Sequence, residues 1–110
     1  MILLKMGKNS NIKELARFVS LAVAHRIGKL MNPNALYAEK YEKESENFML
    51  LAQNVKLREN WNIYDREIIK KEAKNKTISE LTARKYLANQ KFSLMDEEIN
   101  KALKLLELVD

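Results

Sequence analysis

A chain of 110 residues, 46% of them apolar, has the length of one domain and enough apolar side chains for a modest core of its own. It has no cysteine and a single histidine, His25, which excludes disulfides, thiolate metal centres, cysteine nucleophiles and multi-histidine zinc sites. The net charge of +5 is unevenly placed: residues 1–33 carry six basic and one acidic side chain and residues 61–92 carry eight and four, while residues 34–60 and 93–110 are mildly acidic.

From residue 34 onward there is neither glycine nor proline. Tight hairpins draw on those residues for their backbone angles, so a sheet is disfavoured and helices joined by short polar turns are expected. The expected class is all-α: a bundle of four or five helices in one domain over 1–110, with residues 1–10 outside its ordered part. The longest runs free of charge and histidine, Leu30 to Ala38 and Asn47 to Val55, are far short of the roughly 20 apolar residues a spanning helix needs. The opening Met-Ile-Leu-Leu-Lys-Met is too short for a secretory signal core. A cytoplasmic protein with no membrane partner is expected.

The first helix is expected to start at Asn11, with Glu14 three residues on as in a capping box. Ile12, Leu15, Phe18, Val19, Ala22, Val23, Ile27 and Leu30 then recur at helical spacing. Ala16, Ser20, Ala24 and Gly28 form an i+4 row of small residues. Such a row admits close approach of another helix, either one of this chain or one of a second copy. Arg26 lies near the apolar stripe and is expected to be paired with Glu39, Glu42 or Glu44 and stacked near Tyr37 and Tyr41.

Asn32-Pro33 stops the first helix and is expected to start the second, since proline suits the first helical position. The short connection predicts an antiparallel hairpin. Leu50, Asn54, Leu57, Trp61, Tyr64 and Ile68 follow heptad-like spacing along a second seam. Asn60-Trp61-Asn62 ahead of Asp65 has the form of a fresh cap, which predicts a break near 59–62. A third helix then covers about 62–75. Thr77 with Glu80 predicts a new start and a helix over about 78–89, and Ser93 with Asp96 predicts another over about 94–109. This last pair is the expected C-terminal helical pair.

Ile78, Leu81, Leu87, Phe92, Ile99, Ala102, Leu103 and Leu106 resemble the apolar skeleton of winged-helix and related DNA-binding hairpins. The departures are a turn without glycine and a would-be recognition helix opening on Asp96, Glu97 and Glu98, which phosphates repel. Glu39 and Glu42 share the E-x-x-E spacing of magnesium-dependent all-α nucleotide pyrophosphatases, but the matching place on the next helix reads Asn62-Ile63-Tyr64-Asp65 and lacks one carboxylate. No glycine-rich phosphate loop or nucleophile elbow is present. A non-enzyme without metal or cofactor is expected.

Two functions follow. Arg66, Lys70, Lys71, Lys74 and Lys76, with Arg84 and Lys85, are the candidate contacts to an RNA or DNA backbone, and Trp61 and Tyr64 are candidate stacking platforms for unpaired bases. Binding of that kind is not sequence-specific. The alternative is a homo-oligomeric assembly module, or a subunit of a larger complex, with Ala16, Ser20, Ala24, Gly28, Leu50 and Leu57 at the interface.

Overall fold

The all-helical class expected from the missing glycine and proline is the one observed. In a computed structural model the backbone is described for residues 2–31, 33–34, 36–84 and 91–109, and side chains for the same residues from 7 onward, resuming at 94 in the last segment. Among the described residues there are four helices and no strand: α1 (Ile2–Met31), α2 (Ala38–Lys56), α3 (Ile63–Ala83) and α4 (Lys91–Leu105).

α1 is the organising element. Its 30 residues rise about 45 Å at 1.5 Å each, close to the 49 Å long axis of the molecule. It touches each of the other three helices, and α3 also touches α4. Leu15, Ala16, Val19, Ala22, Val23, Ala24 and Ile27 are all buried, so apolar cover surrounds most of the helix rather than one stripe. All of these but Ala22 join Ala52 and Val55 of α2, Ile69, Ala73 and Leu81 of α3, Met95, Ile99 and Leu103 of α4, and Leu106 just past it, in one core.

The contacts between α1 and α2 run in opposite order along the two helices. Lys29 meets Glu42 at 2.7 Å, His25 meets Glu44 at 2.7 Å, and Ser45 donates from Oγ to the Ala22 carbonyl at 2.8 Å. Phe18 stacks on Phe48, and Arg58 reaches Glu14 at 3.2 Å.

Four expected helix starts are corrected. Asn11 caps nothing, because α1 is already helical from Ile2. Its side chain works at long range instead, donating from Nδ2 to Glu59 at 2.9 Å and accepting from Arg58 at 3.1 Å. The second helix starts at Ala38 rather than Pro33; Pro33–Asn34 and Leu36–Tyr37 are turns, and Tyr37 makes no side-chain cap. Thr77 is interior to α3. Its hydroxyl donates to the Ala73 carbonyl at 2.6 Å and the residue is fully buried, so the helix passes through it and ends at Ala83. The separate helix over 78–89 is therefore absent up to residue 84, and residues 85–90 lie outside the described residues. α4 begins at Lys91, ahead of Ser93, and ends at Leu105.

The break between α2 and α3 falls where the sequence places it. Asn62 accepts from the Asp65 backbone N–H at 2.9 Å, and Asp65 accepts from the Asn62 N–H at 3.1 Å, a complete capping box. Trp61 sits inside the turn and donates its indole N–H to the Lys56 carbonyl at 2.7 Å, satisfying an acceptor at the end of α2.

Candidate functional site

The basic residues of α3 do not share one face. Tyr64, Ile68 and Lys71 stand at i, i+4 and i+7 and point outward together, with Tyr64 77% exposed. Lys70 and Lys74 lie round the helix toward α4, where they border a shallow hollow with Asp96, Ile99 and Asn100. Lys74 is 3.6 Å from Asp96. Lys76 lies on another edge, beside Arg17, Ser20 and Leu21 of α1. Arg84 pairs with Glu80 at 2.8 Å, and the Arg66 Nε donates to the Trp61 carbonyl at 3.2 Å. Lys85 is outside the described residues. Trp61 is only 8% exposed and its N–H is already used, so it is a core side chain rather than a stacking platform. Of the candidate contacts on α3, Tyr64 and Lys71 stay exposed on one face and Lys70 on the side toward α4.

The proposed interface residues divide in two. Ala16, Ser20, Ala24 and Gly28 are all buried within one copy. Ser20 borders Lys76, Ser79 and Glu80 of α3, and the whole row is buried within one copy, so it is not a free surface. Leu50 and Leu57 are the opposite case. They are seven residues apart, on one side of α2, and 65% and 68% exposed.

Leu50 stands on the rim of a groove of about 460 Å³ between α2 and α4. Ala22 and Val23 of α1 form its floor. Met49 and Leu50 wall one side; Ala102 and Leu105 wall the other, Leu105 being 74% exposed. The groove exists because both helices pack on α1 while making little contact with each other. Sequence reasoning missed Leu105. Its signal is the Leu105-Leu106 pair: the core stripe takes Leu106, and its neighbour 100° round the helix is left outside.

The polar end of the groove is charge-balanced. Glu98 is buried, 3.6 Å from the Arg26 Nε and 3.2 Å from the Lys101 ammonium. That ammonium, hydrogen-bonded to Glu98 and near Glu97, has its pKa raised. Arg26 also lies 3.8 Å from Glu42. Arg26 is therefore paired, as expected, though its nearer carboxylate comes from α4 rather than α2. The aromatic partner goes to its neighbour instead. His25 packs edge-on against Tyr41, sets Nε2 2.7 Å from the Glu44 carboxylate, and sets Nδ1 2.7 Å from the Leu21 carbonyl.

The acidic pair does not form a metal site. The Lys29 ammonium, hydrogen-bonded to Glu42, lowers its carboxyl pKa with help from Arg26, and Glu39 faces Lys43 at 4.0 Å. Asp65 is held by Lys8 at 2.8 Å, which lowers its pKa, and the Asn62 N–H adds to that. Among the described residues no group of three or more His, Asp or Glu side chains gathers for a metal ion, and no helix is long and apolar enough to cross a membrane.

Compared with known proteins, the chain matches no family model, no curated sequence and no solved structure.

Proposed function

We propose that this chain is a non-enzymatic assembly module that self-associates through the α2–α4 side. The arrangement we infer for it is an antiparallel hairpin of α1 and α2, with α3 and α4 closing on α1 to complete a helical bundle. The observation that carries the reading is the pair Leu50 and Leu105, 65% and 74% exposed on the two rims of one groove whose floor is apolar, with Leu57 a further exposed leucine two turns on from Leu50. Single exposed leucines are ordinary; a group of them along one groove marks a contact surface. Sedimentation velocity over a range of micromolar concentrations tests it. The expected result is a dimer or larger species whose share grows with concentration, and a monomer throughout contradicts it.

A second reading keeps contact with RNA or DNA backbone. It rests on Lys70, Lys71 and Lys76, none of which has a carboxylate at ion-pair distance among the described residues, and on exposed Tyr64 one to two turns before the first two. Contact with a phosphate backbone releases counterions, so affinity falls steeply with salt. A labelled single-stranded oligonucleotide is expected to bind at low salt and be released at moderate salt. The K70E/K71E variant is expected to bind more weakly with its helix content unchanged. Absence of any salt-dependent shift removes this reading and leaves the assembly reading untouched.

A further inference from the structure

α2 and α4 climb the molecule in the same direction. Glu42 and Glu98 both approach Arg26 at one level, and Lys56 lies 4.0 Å from Glu107 near the other end. Counted from the Arg26 level, Glu46 and Leu50 stand four and eight residues along α2 and Lys101 and Leu105 three and seven along α4, so the rims carry the same pattern at heights within about 1.5 Å. On α2 it is Glu46 and, four residues on, Leu50; on α4 it is Lys101 and, four residues on, Leu105. All four line the groove. An i+4 step is one helical turn, so on each rim the charged residue sits one turn below the leucine.

This pattern complements itself under one symmetry operation. A two-fold axis parallel to the helices, in front of the groove, carries α2 of one copy to face α4 of the other at the same height. Leu50 then meets the partner's Leu105, and Glu46 meets the partner's Lys101, twice over, as an isologous contact requires. Glu46 has no ion-pair partner within one copy among the described residues, while the Lys101 side chain is 59% exposed alongside its contacts with Glu97 and Glu98.

We infer that the α2–α4 groove is closed by a second copy of this chain about a two-fold axis parallel to the helices, forming a four-helix seam with a layer of Leu50 and Leu105 from both copies and Glu46 facing the partner's Lys101. The inference rests on the assembly reading and specifies its geometry. Opposite charge at the rims fixes which helix faces which; the leucine layer supplies the apolar burial. The axis also predicts which residues do not meet: Leu50 and the partner's Leu50 lie diagonally across the seam.

The chain contains no cysteine, so single cysteines report neighbours without interference. Leu50→Cys and Leu105→Cys proteins, each first checked by circular dichroism and sedimentation, are oxidised separately and as a mixture. The expected result is a disulfide-linked dimer far more abundant in the mixture than in either protein alone. Faster linking of Leu50→Cys protein to itself overturns the parallel axis. A wild-type dimer with no linking in any sample overturns the groove as the interface and leaves the assembly reading standing. A monomeric wild-type protein removes both.

Discussion

Glu107 has φ = 57°, the left-handed region that L side chains other than Asn and Asp rarely adopt. It stands just past α4, where the Leu108 N–H returns to the Leu103 carbonyl at 2.9 Å and the Glu107 N–H to that of Lys104 at 3.0 Å. That is a Schellman-type end, with Leu108 folded back into the core at its close. Glycine is the usual residue at this position, and the chain has none after Gly28. Glu107→Gly is therefore expected to stabilise the fold by about 1 kcal/mol, read as a raised urea midpoint. Among the described residues the one ion pair it removes is an exposed 4.0 Å approach to Lys56, of little worth in water. An unchanged or lowered midpoint contradicts the strain at Glu107. At this scale, legibility in the sequence depended on what surrounds a motif. Asn62 with Asp65 and Thr77 with Glu80 have the same cap spacing, yet only the first is a cap. Asn60-Trp61-Asn62 interrupts the helix, whereas Asn75-Lys76 does not, and the Thr77 hydroxyl turns back to Ala73 inside a buried stretch. Asn11 misled for a related reason: its amide serves Arg58 and Glu59, 47 and 48 residues away, a use no local pattern announces.

α1 is an ordinary-looking amphipathic helix in sequence and a central one in the structure. The difference is its small-residue row. Ala16, Ser20, Ala24 and Gly28 are buried within one copy, and α3, which packs on α1, carries a buried row with the same i+4 step: Ile69, Ala73, Thr77 and Leu81. The row was legible as a place of close approach; which helix approaches was not, because spacing alone does not distinguish a partner within the chain from one outside it. Ala24→Leu is expected to destabilise the folded chain by about 1–3 kcal/mol through overpacking, measured by thermal or urea unfolding. Its direct effect is on stability rather than on association. Lost self-association at unchanged stability would show that the row, not the groove, is the interface. The heptad-like seam failed at a definite point for a comparable reason. It holds from Leu50 to Leu57 and ends at the turn, where Trp61 rotates into the core and Tyr64 and Ile68 continue outward on a different helix.

The whole molecule is an α1 axis held by polar clasps at the ends and apolar packing along the middle. Lys8 reaches the Asn60 carbonyl at 3.1 Å and Asp65 at 2.8 Å, and Arg58 reaches Glu14, so the α2–α3 turn is tied to the first part of α1. Lys29 and His25 tie its last part to the start of α2. The helical class, the break near 59–62 and the exposed leucines of α2 were all legible in the sequence. The groove was not, since it depends on α4 packing beside α1 with little contact to α2. The same packing sets Leu105 opposite Leu50 and makes that side of the molecule the candidate contact surface. The most direct measurement is sedimentation of the wild-type chain beside Leu50→Glu, with helix content checked in both. An apolar-to-acidic change at a residue 65% exposed leaves the core intact, so the variant is expected to remain folded but sediment as a monomer at concentrations where the wild type is a dimer. A variant that associates as the wild type does, or a wild type that is monomeric throughout, contradicts the account.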